Sequence, residues 1–253
     1  MKINFKNKKV LISGGSKGIG FSIAKAFVNA DANVSIISSN QKNLDRAKET
    51  INKKNFHVFK YNLIEFNKLS TCVELVNKKM KGIDILVCNL GSGKPNSKIG
   101  NENYLNFIDS YKLNFISTVE LINQTKKFLF NSVNPSILCI GSIAGFSSIG
   151  APNDYSSSKA ALINYVKNQS KILSKKNIRI NMISPGNIFF RGGTWDKKYR
   201  LNPRKTKKYI KDNVPLNRFG NPDEIANGAL FLSSDYANFV TGANFVIDGG
   251  QSV

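Results

Sequence analysis

Short apolar runs alternate with helical stretches along the whole chain of 253 residues. Seven runs predict strands, because each is short, apolar and followed by turn residues. They cover residues 10–12, 34–38, 56–62, 85–89, 137–141, 178–184 and 244–247. Helical stretches separate them, near 19–30, 41–53, 67–81, 101–130, 154–175 and 222–234. This alternation predicts an α/β fold: one domain over residues 1–253, three layers, and a doubly wound parallel sheet of about seven strands.

The composition favours a soluble protein with a basic surface. The formal net charge is +21, but only six of the 37 basic residues are arginine and the lysines are scattered. We therefore interpret the charge as a solvated surface that steers anionic substrates, and expect no nucleic-acid partner. No apolar run approaches the ~20 residues that span a bilayer, and the apolar stretch after the basic start is too short for a signal peptide. We expect a cytoplasmic protein with no membrane partner.

A glycine-rich turn follows the first predicted strand. Gly14, Gly18 and Gly20 have the spacing G-x-x-x-G-x-G, and helical periodicity begins directly afterwards. Glycines let the backbone turn tightly and approach a pyrophosphate, and a helix N-terminus offers free N–H groups to it. Strand, glycine turn and helix together predict a dinucleotide site.

Tyr155 and Lys159 are four residues apart in a predicted helix, so their side chains point the same way. A phenol titrates near pH 10, and a nearby cation lowers that pKa. Ser142 precedes the pair by thirteen residues. A hydroxyl, an activated phenol and a lysine can transfer a proton at a carbonyl or an alcohol.

These motifs occur in an order that resembles the short-chain dehydrogenase/reductase family, in its single-domain branch of Rossmann-type proteins similar to 3-oxoacyl-(acyl-carrier-protein) reductases. The resemblance covers nearly the whole chain. It rests on Ser13–Gly20, Cys88–Gly91, Asn114, Ser142, Tyr155, Lys159, Pro185–Gly186 and Asp248–Gly250.

The resemblance implies a catalytic set. Tyr155 is the acid in carbonyl reduction and the base in the reverse reaction, and Lys159 lowers its pKa and holds the nicotinamide ribose. Ser142 binds the substrate oxygen, and Asn114 orders a water. The implied cofactor contacts are Gly14, Ser16, Lys17, Gly18, Ile19, Gly20, Ser38, Ser39, Asn62, Leu63, Asn89, Gly91, Tyr155, Lys159, Pro185, Gly186 and Ile188. The family also implies a homotetramer or a homodimer, with helices 101–130 and 154–175 at one interface.

The residues after the second strand favour NADP(H) over NAD(H). Ser38 and Ser39 stand where an acidic residue would hold a free ribose 2′-hydroxyl. Lys17 is either a contact to a 2′-phosphate or an exposed loop lysine. Many NADP-dependent relatives carry arginine at the position of Ser39.

Residues 187–214 have two interpretations. The family places a substrate lid here, in which Gly192 and Gly193 act as hinges and Arg191 and Trp195 meet the substrate. A lid with the basic segment 197–208 favours an anionic substrate, either a small molecule or one bound to a carrier. The alternative is a solvated basic helix with one packed tryptophan. Phe190 and Arg191 occupy the neighbourhood in which the family carries a cofactor-binding threonine.

The resulting hypothesis is an oxidoreductase that moves a hydride between nicotinamide and a carbonyl or secondary alcohol. A 3-oxoacyl thioester is the default substrate, and a sugar or nucleotide sugar is the alternative. A non-catalytic, cofactor-binding regulator is a third possibility, which the complete Tyr155 set argues against. The three cysteines lack metal or redox spacing, and His57, the single histidine, lies in a predicted strand, so we expect no metal site.

Overall fold

The computed structural model describes residues 3–92 and 99–253. Seven parallel strands form one sheet in the order β3-β2-β1-β4-β5-β6-β7. Each strand begins and ends within a few residues of its predicted bounds. The strands are β1 (Lys9–Ser13), β2 (Asn33–Ser38), β3 (Phe56–Lys60), β4 (Ile85–Cys88), β5 (Ser136–Ile140), β6 (Arg179–Pro185) and β7 (Asn244–Ile247).

Helices connect the strands and cover both faces of the sheet. They are α1 (Gly18–Asn29), α2 (Gln41–Ile51), α3 (Leu69–Met80), α4 (Tyr104–Tyr111), α5 (Ser117–Leu129), α6 (Asn153–Leu173), α7 (Thr194–Leu201), α8 (Pro203–Asn213) and α9 (Pro222–Ser233). Single 3₁₀ turns lie at Phe66–Lys68, Ile143–Gly145, Ser174–Lys176 and Asp235–Ala237. Within the described ranges, none of these helices is long and apolar enough to cross a membrane.

Two apolar cores lie on the two faces of the sheet. On one face, α1, α2 and α9 pack through residues such as Phe27, Leu44 and Ile225. On the other face, α3, α5 and α6 pack through residues such as Val73 and Leu121. The predicted three-layer, doubly wound α/β (Rossmann) fold is confirmed.

The strand order reverses between β1 and its neighbour β4, because β2 and β3 extend to one side and β4 to β7 to the other. In open parallel sheets such a reversal leaves a crevice beyond the carboxyl ends of the strands. Ser13, Ser38, Asn89 and Ser142 lie at or just after those ends. The topology therefore brings three of the predicted site residues, together with Ser13, to one edge.

The predicted helix 101–130 is interrupted by a π-helical segment, Lys112–Ile116. Asn114 Nδ2 donates to the Ser110 carbonyl at 3.0 Å, so a side chain takes the oxygen that an α-helical amide would use. Wider turns of this kind are frequent at functional sites. Periodicity alone gave no sign of the interruption.

The segment 187–214 contains two helices where a single basic helix was one of the two alternatives. Asn202 ends α7, and its side chain caps α8 by accepting from the Lys205 N–H at 2.9 Å. Pro203 occupies the first turn of α8, where a missing N–H costs little. The Asn202-Pro203 pair is therefore the local cause of the break.

Candidate active site

The turn between β1 and α1 has the geometry that a phosphate site requires. Gly14 and Gly18 have φ angles of +64° and +56°, which favour glycine. A Cβ on Gly20 would lie 2.4 Å from both Asn89 Nδ2 and the Gly14 oxygen. Lys17 precedes α1 and makes no side-chain cap, so no side chain covers the first-turn N–H groups from that position. These features fit the phosphates of a dinucleotide.

Asn89 fastens this turn to the end of β4. Its Nδ2 donates to the Ser13 and Gly14 carbonyls at 3.1 and 3.0 Å. The Ser13 hydroxyl oxygen in turn accepts from the N–H groups of Asn89 and Leu90, at 2.9 and 3.0 Å. The turn is therefore held from both strands, although the hydrogen-bonded positions are about 75 residues apart in sequence.

Six of the predicted cofactor contacts lie along the carboxyl ends of β1, β2 and β3. The hydroxyl oxygens of Ser16 and Ser38 are 2.8 Å apart. Lys17 and Ser39 are exposed at this end of the sheet. Asn62 donates to Glu65 at 2.9 Å, and Leu63 is buried.

Lys159, Asn114 and Gly91 meet at the centre of the crevice. Lys159 Nζ donates to the Ile140 carbonyl at 3.0 Å and is 5.9 Å from the centre of the Tyr155 ring. A Cβ on Gly91 would lie 3.0 Å from Lys159 Nζ and 2.9 Å from Asn114 Oδ1. Only a residue without a side chain fits here unless Asn114 or Lys159 moves.

Asn114 is buried and makes hydrogen bonds in two directions. Its Oδ1 accepts from the Ser92 N–H at 2.8 Å, and its Nδ2 donates to the Ser110 carbonyl and hydroxyl oxygens at 3.0 and 3.2 Å. The Ser110 and Ser158 hydroxyl oxygens are 3.4 Å apart, which links this helix to α6. The side chain of Asn114 therefore has one orientation.

Ser142 begins the 3₁₀ turn after β5, and its hydroxyl accepts from the Ala144 N–H at 3.2 Å. The Ser142 side chain also lies close enough to the Tyr155 phenol to lower the pKa of that phenol. The structure thus brings Ser142, Tyr155, Lys159 and Asn114 together from separate segments of the chain.

Burial dominates the acid–base properties of this group. It raises the pKa of Tyr155, against the lowering effect of the Ser142 side chain. It lowers the pKa of Lys159 to about 8, because the ammonium group loses water. The expectation that Lys159 lowers the phenol pKa is not met in this structure. Lys159 Nζ is directed to the Ile140 carbonyl, and desolvation of the phenol is the larger effect.

A family model described as enoyl-(acyl carrier protein) reductase matches residues 14–252. The chain belongs to the short-chain dehydrogenase/reductase family. It is therefore an NAD(P)-dependent oxidoreductase, as predicted from the motif order, and binds a nicotinamide cofactor.

Several curated relatives align over almost their whole length. The 3-oxoacyl-(acyl-carrier-protein) reductase FabG of Rickettsia felis is 34% identical over 252 residues, covering 98% of each chain. The FabG protein of Chlamydia trachomatis is 32% identical, with 97% of this chain and 98% of the relative covered. Isoepoxydon dehydrogenase patN of Aspergillus clavatus is 31% identical, with 99% and 96% covered.

Solved structures give the same fold. A 7α-hydroxysteroid dehydrogenase complexed with NADH and 7-oxo glycochenodeoxycholic acid has a TM-score of 0.89 and 29% identity, covering 99% of this chain and 96% of that one. The Pseudomonas aeruginosa RhlG/NADP active-site complex has a TM-score of 0.91 at 24% identity, covering 100% and 99%. The second likeness concerns the fold alone.

In this short-chain dehydrogenase/reductase, Trp195 lies in an aromatic cluster of five rings. Its ring centre is 5.1 Å from that of Tyr209 and 5.3 Å from that of Phe219, and Lys198 Nζ lies 4.4 Å from it. Phe189 and Tyr199 complete the cluster. Trp195 is thus packed, as one interpretation expected, while Arg191 and the basic residues around it are exposed.

Pro185, Gly186 and Ile188 lead from β6 towards this cluster. A Cβ on Gly186 would lie 2.7 Å from the Asp248 Cβ, so glycine permits close packing on the chain after β7. A cavity of about 100 Å³ opens beside Asn187 and Ile188. Asn187 Nδ2 is buried in the structure without a hydrogen-bond partner. The Asn187 amide, between the predicted cofactor contacts Gly186 and Ile188, could therefore donate a hydrogen bond to a polar group in this cavity.

Two site contacts were not predicted from sequence. Glu102 Oε1 accepts from the Asn153 N–H at 2.9 Å, and this bond, the first of several backbone bonds, lowers the pKa of Glu102. It fixes the start of α6 two residues before Tyr155. Phe190 lies against Gly18 in the phosphate turn. The first contact has no sequence signal, and the only signal for the second was an aromatic residue where the family carries threonine.

Proposed function

We propose that this enzyme reduces a carbonyl group to a secondary alcohol and catalyses the reverse oxidation, with Tyr155 as the acid–base residue. The observation that carries the proposal is the meeting of Tyr155, Ser142, Lys159 and Asn114 beside the phosphate turn. A nicotinamide cofactor, when bound, would supply or accept the hydride. The residues of this chain orient the substrate and move the proton.

Each member of the set has a role that its surroundings support. Ser142 donates a hydrogen bond to the substrate oxygen, and Tyr155 gives its phenolic proton to that oxygen as the alcohol forms. Lys159, with a pKa of about 8, is mostly protonated at neutral pH and places a positive charge 5.9 Å from the centre of the Tyr155 ring. Lys159 also reaches the nicotinamide ribose. Asn114, held in one orientation, positions a water that returns a proton to the site.

Tyr155→Phe tests this assignment. Loss of the phenolic proton donor should lower turnover by about 10²–10⁴-fold in an NADPH oxidation assay. Tyr165→Phe is a matched control on the same helix, because Tyr165 packs against Phe115 in the core. Near wild-type turnover in Tyr155→Phe would refute the acid–base role. If the wild-type protein bound the cofactor but turned over no acyl thioester, sugar or simple ketone, the regulator alternative would be favoured.

The glycine turn and the residues along its edge would hold the cofactor: Gly14, Ser16, Lys17, Gly18, Ile19, Gly20, Ser38, Ser39, Asn62, Leu63, Asn89, Gly91, Pro185, Gly186 and Ile188. NADP(H) is the proposed form. Ser38 and Ser39 present hydroxyl groups and no carboxylate at the end of β2, and Lys17 is exposed near them. A 2′-phosphate would meet no negative charge at these positions, and one cation would be available to it.

Direct binding measurements test the cofactor preference. We expect NADPH to bind more tightly than NADH. Lys17→Gln should weaken the binding of NADPH by about 5–30-fold, since one charge-assisted contact contributes about 1–2 kcal/mol. The affinity for NADH should be nearly unchanged. Lys25→Gln on α1 is the control. A strong preference of the wild type for NADH would overturn the proposal.

We propose a 3-oxoacyl thioester as the substrate, with residues 187–214 as its lid. The FabG relatives act on 3-oxoacyl groups bound to a carrier, and their identity to this chain is about one third. Residues 191–212 include nine basic residues and two carboxylates. The two carboxylates among them are already paired, Asp196 with Arg200 and Asp212 with Lys208. The excess charge suits an anionic or carrier-bound substrate, and turnover on sugars or nucleotide sugars alone would favour that alternative.

We also propose a homotetramer, or a homodimer if only one surface is used. Tyr104, Leu105 and Ile108 on α4 each expose more than half of their side chain. A second apolar surface at the β7 edge contains Phe239, Phe245 and Val246. Exposed apolar surfaces of this kind mark interaction sites in soluble proteins.

A further inference from the structure

The phosphate turn and the lid are in direct contact through one side chain, Phe190. A Cβ on Gly18 would lie 2.6 Å from Phe190 Cζ and 2.7 Å from Cε2. Gly18 is the first residue of α1, so the Phe190 ring lies against the residue at which the helix N-terminus begins. The ring is partly buried and also packs on the core under α1.

Hydrogen bonds brace the chain from Phe190 to α7 at Gly192 and Gly193, the two glycines predicted to act as hinges. The Phe190 carbonyl accepts from the Gly193 N–H at 3.0 Å, and Asp196 Oδ2 accepts from the Gly192 N–H at 2.8 Å. The other carboxylate oxygen of Asp196 accepts from Arg200 Nε at 3.1 Å. Phe190 and the first turns of α7 should therefore move together.

The far end of this unit is the aromatic cluster. Trp195 lies on α7 five residues after Phe190, and its ring packs at a tilt against Tyr209 of α8 and Phe219. The Tyr209 hydroxyl is 3.5 Å from the Ile149 carbonyl, in the segment that leads to Tyr155. A shift at Gly18 thus has a continuous packed route, through Phe190 and α7, to the lid and to the entrance of α6.

We infer that Phe190 is a positioning residue that couples occupancy of the phosphate turn to the position of the α7–α8 lid. The inference rests on the proposed function, in that the turn binds a dinucleotide and residues 187–214 cover the substrate. A pyrophosphate group that enters the turn displaces the Phe190 ring, and the hydrogen-bonded turn at 190–193 carries the displacement into α7. The enzyme thereby adjusts its lid only after the cofactor has bound.

Trp195 is the single tryptophan of the chain, so its fluorescence reports the lid directly. The ligands for the test are ADP-ribose and its 2′-phosphate, which carry the pyrophosphate but lack the nicotinamide ring that would quench tryptophan. Binding is measured independently by isothermal titration calorimetry. In the wild type we expect a fluorescence change with the same concentration dependence as the binding heat.

Phe190→Ala should still bind the ligand, with an affinity within about tenfold of the wild-type value. The amplitude of its fluorescence change at saturation should fall below half of the wild-type amplitude. Phe190→Leu keeps an apolar contact with Gly18 and should retain more than half. Leu75→Ala, at an exposed leucine of α3 outside both proposed interaction surfaces, is the control and should behave as the wild type. A merely structural role for Phe190 would lower the unfolding temperature and leave the amplitude at saturation intact.

The possible failures can be told apart. The coupling is refuted if the wild type shows binding heat without a change in Trp195 fluorescence. It is also refuted if Phe190→Ala keeps the full fluorescence amplitude. Neither result contradicts the proposed function. Absence of binding heat for both ligands overturns the proposed dinucleotide site, and the coupling with it.

Discussion

The amino group of Lys159 is buried and donates one hydrogen bond to the Ile140 carbonyl. Burial lowers its pKa from 10.5 to about 8. Because the unfolded chain keeps this proton up to a higher pH than the folded protein, the folded state carries a cost below pH 8. The cost disappears as the pH rises from about 8 to above 10.

We therefore expect Lys159→Met to raise the free energy of unfolding at pH 7. The lowering of the Lys159 pKa sets an upper bound on this gain on the order of 3 kcal/mol. The lost hydrogen bond to the Ile140 carbonyl offsets it by about 1 kcal/mol. The gain should vanish by about pH 10. Urea unfolding of both proteins without cofactor, at pH 7 and pH 10, measures it.

Lys171→Met is the control, because Lys171 is exposed on the same helix and should show no such pH dependence. An equal difference between Lys159→Met and the wild type at both pH values would contradict the buried-charge explanation. The variant should also lose turnover, which separates the stability of the site from its function.

At the scale of elements, Arg179 joins β6 to the end of α9. Its Nη1 donates to the Leu232 and Val240 carbonyls at 2.8 and 3.3 Å, and its Nη2 donates to the Ser234 carbonyl at 3.3 Å. The last carbonyls of a helix have no partner within it. A planar guanidinium group reaches several carbonyls that a single ammonium cannot serve in the same geometry.

Arg179→Lys should therefore destabilise the protein by about 2–4 kcal/mol, since buried carbonyls lose their donors. Differential scanning calorimetry would show a lower unfolding temperature. Arg46→Lys, on the exposed side of α2, should change the stability by less than about 0.5 kcal/mol. Similar effects of the two substitutions would show that Arg179 does not hold this connection.

At the scale of the whole molecule, the exposed apolar residues of α4 lie outside both cores. Ile108 is 54% exposed, and Leu105 is 52% exposed. If α4 contributes to the proposed assembly, a charge at its centre should prevent association, because an unpaired carboxylate would be buried in an apolar contact.

Ile108→Glu should lower the mass measured by multi-angle light scattering to that of a smaller assembly. Leu75→Glu is the matched control, because Leu75 is 55% exposed on α3 and lies outside this surface. A wild type that is monomeric at micromolar concentration, or a variant with unchanged mass, would argue against the interface.

The sequence by itself determined the features that local chemistry encodes. Apolar periodicity placed the strands and most helices, the glycine spacing placed the phosphate turn, and the four-residue spacing placed Tyr155 and Lys159 on one helix face. These features depend on residues that are close in the chain, so a pattern records them. The order of the motifs then indicated the family, which the comparisons confirmed.

The tertiary structure decided what depends on partners that are distant in sequence. Lys159 turns to the Ile140 carbonyl, so that burial and not mutual attraction governs the pKa values of the Tyr155–Lys159 pair. Glu102 fixes the start of α6 from 51 residues away, and Phe190 lies on Gly18. Desolvation and ring contacts arise only when separate elements pack together, and no local pattern specifies them.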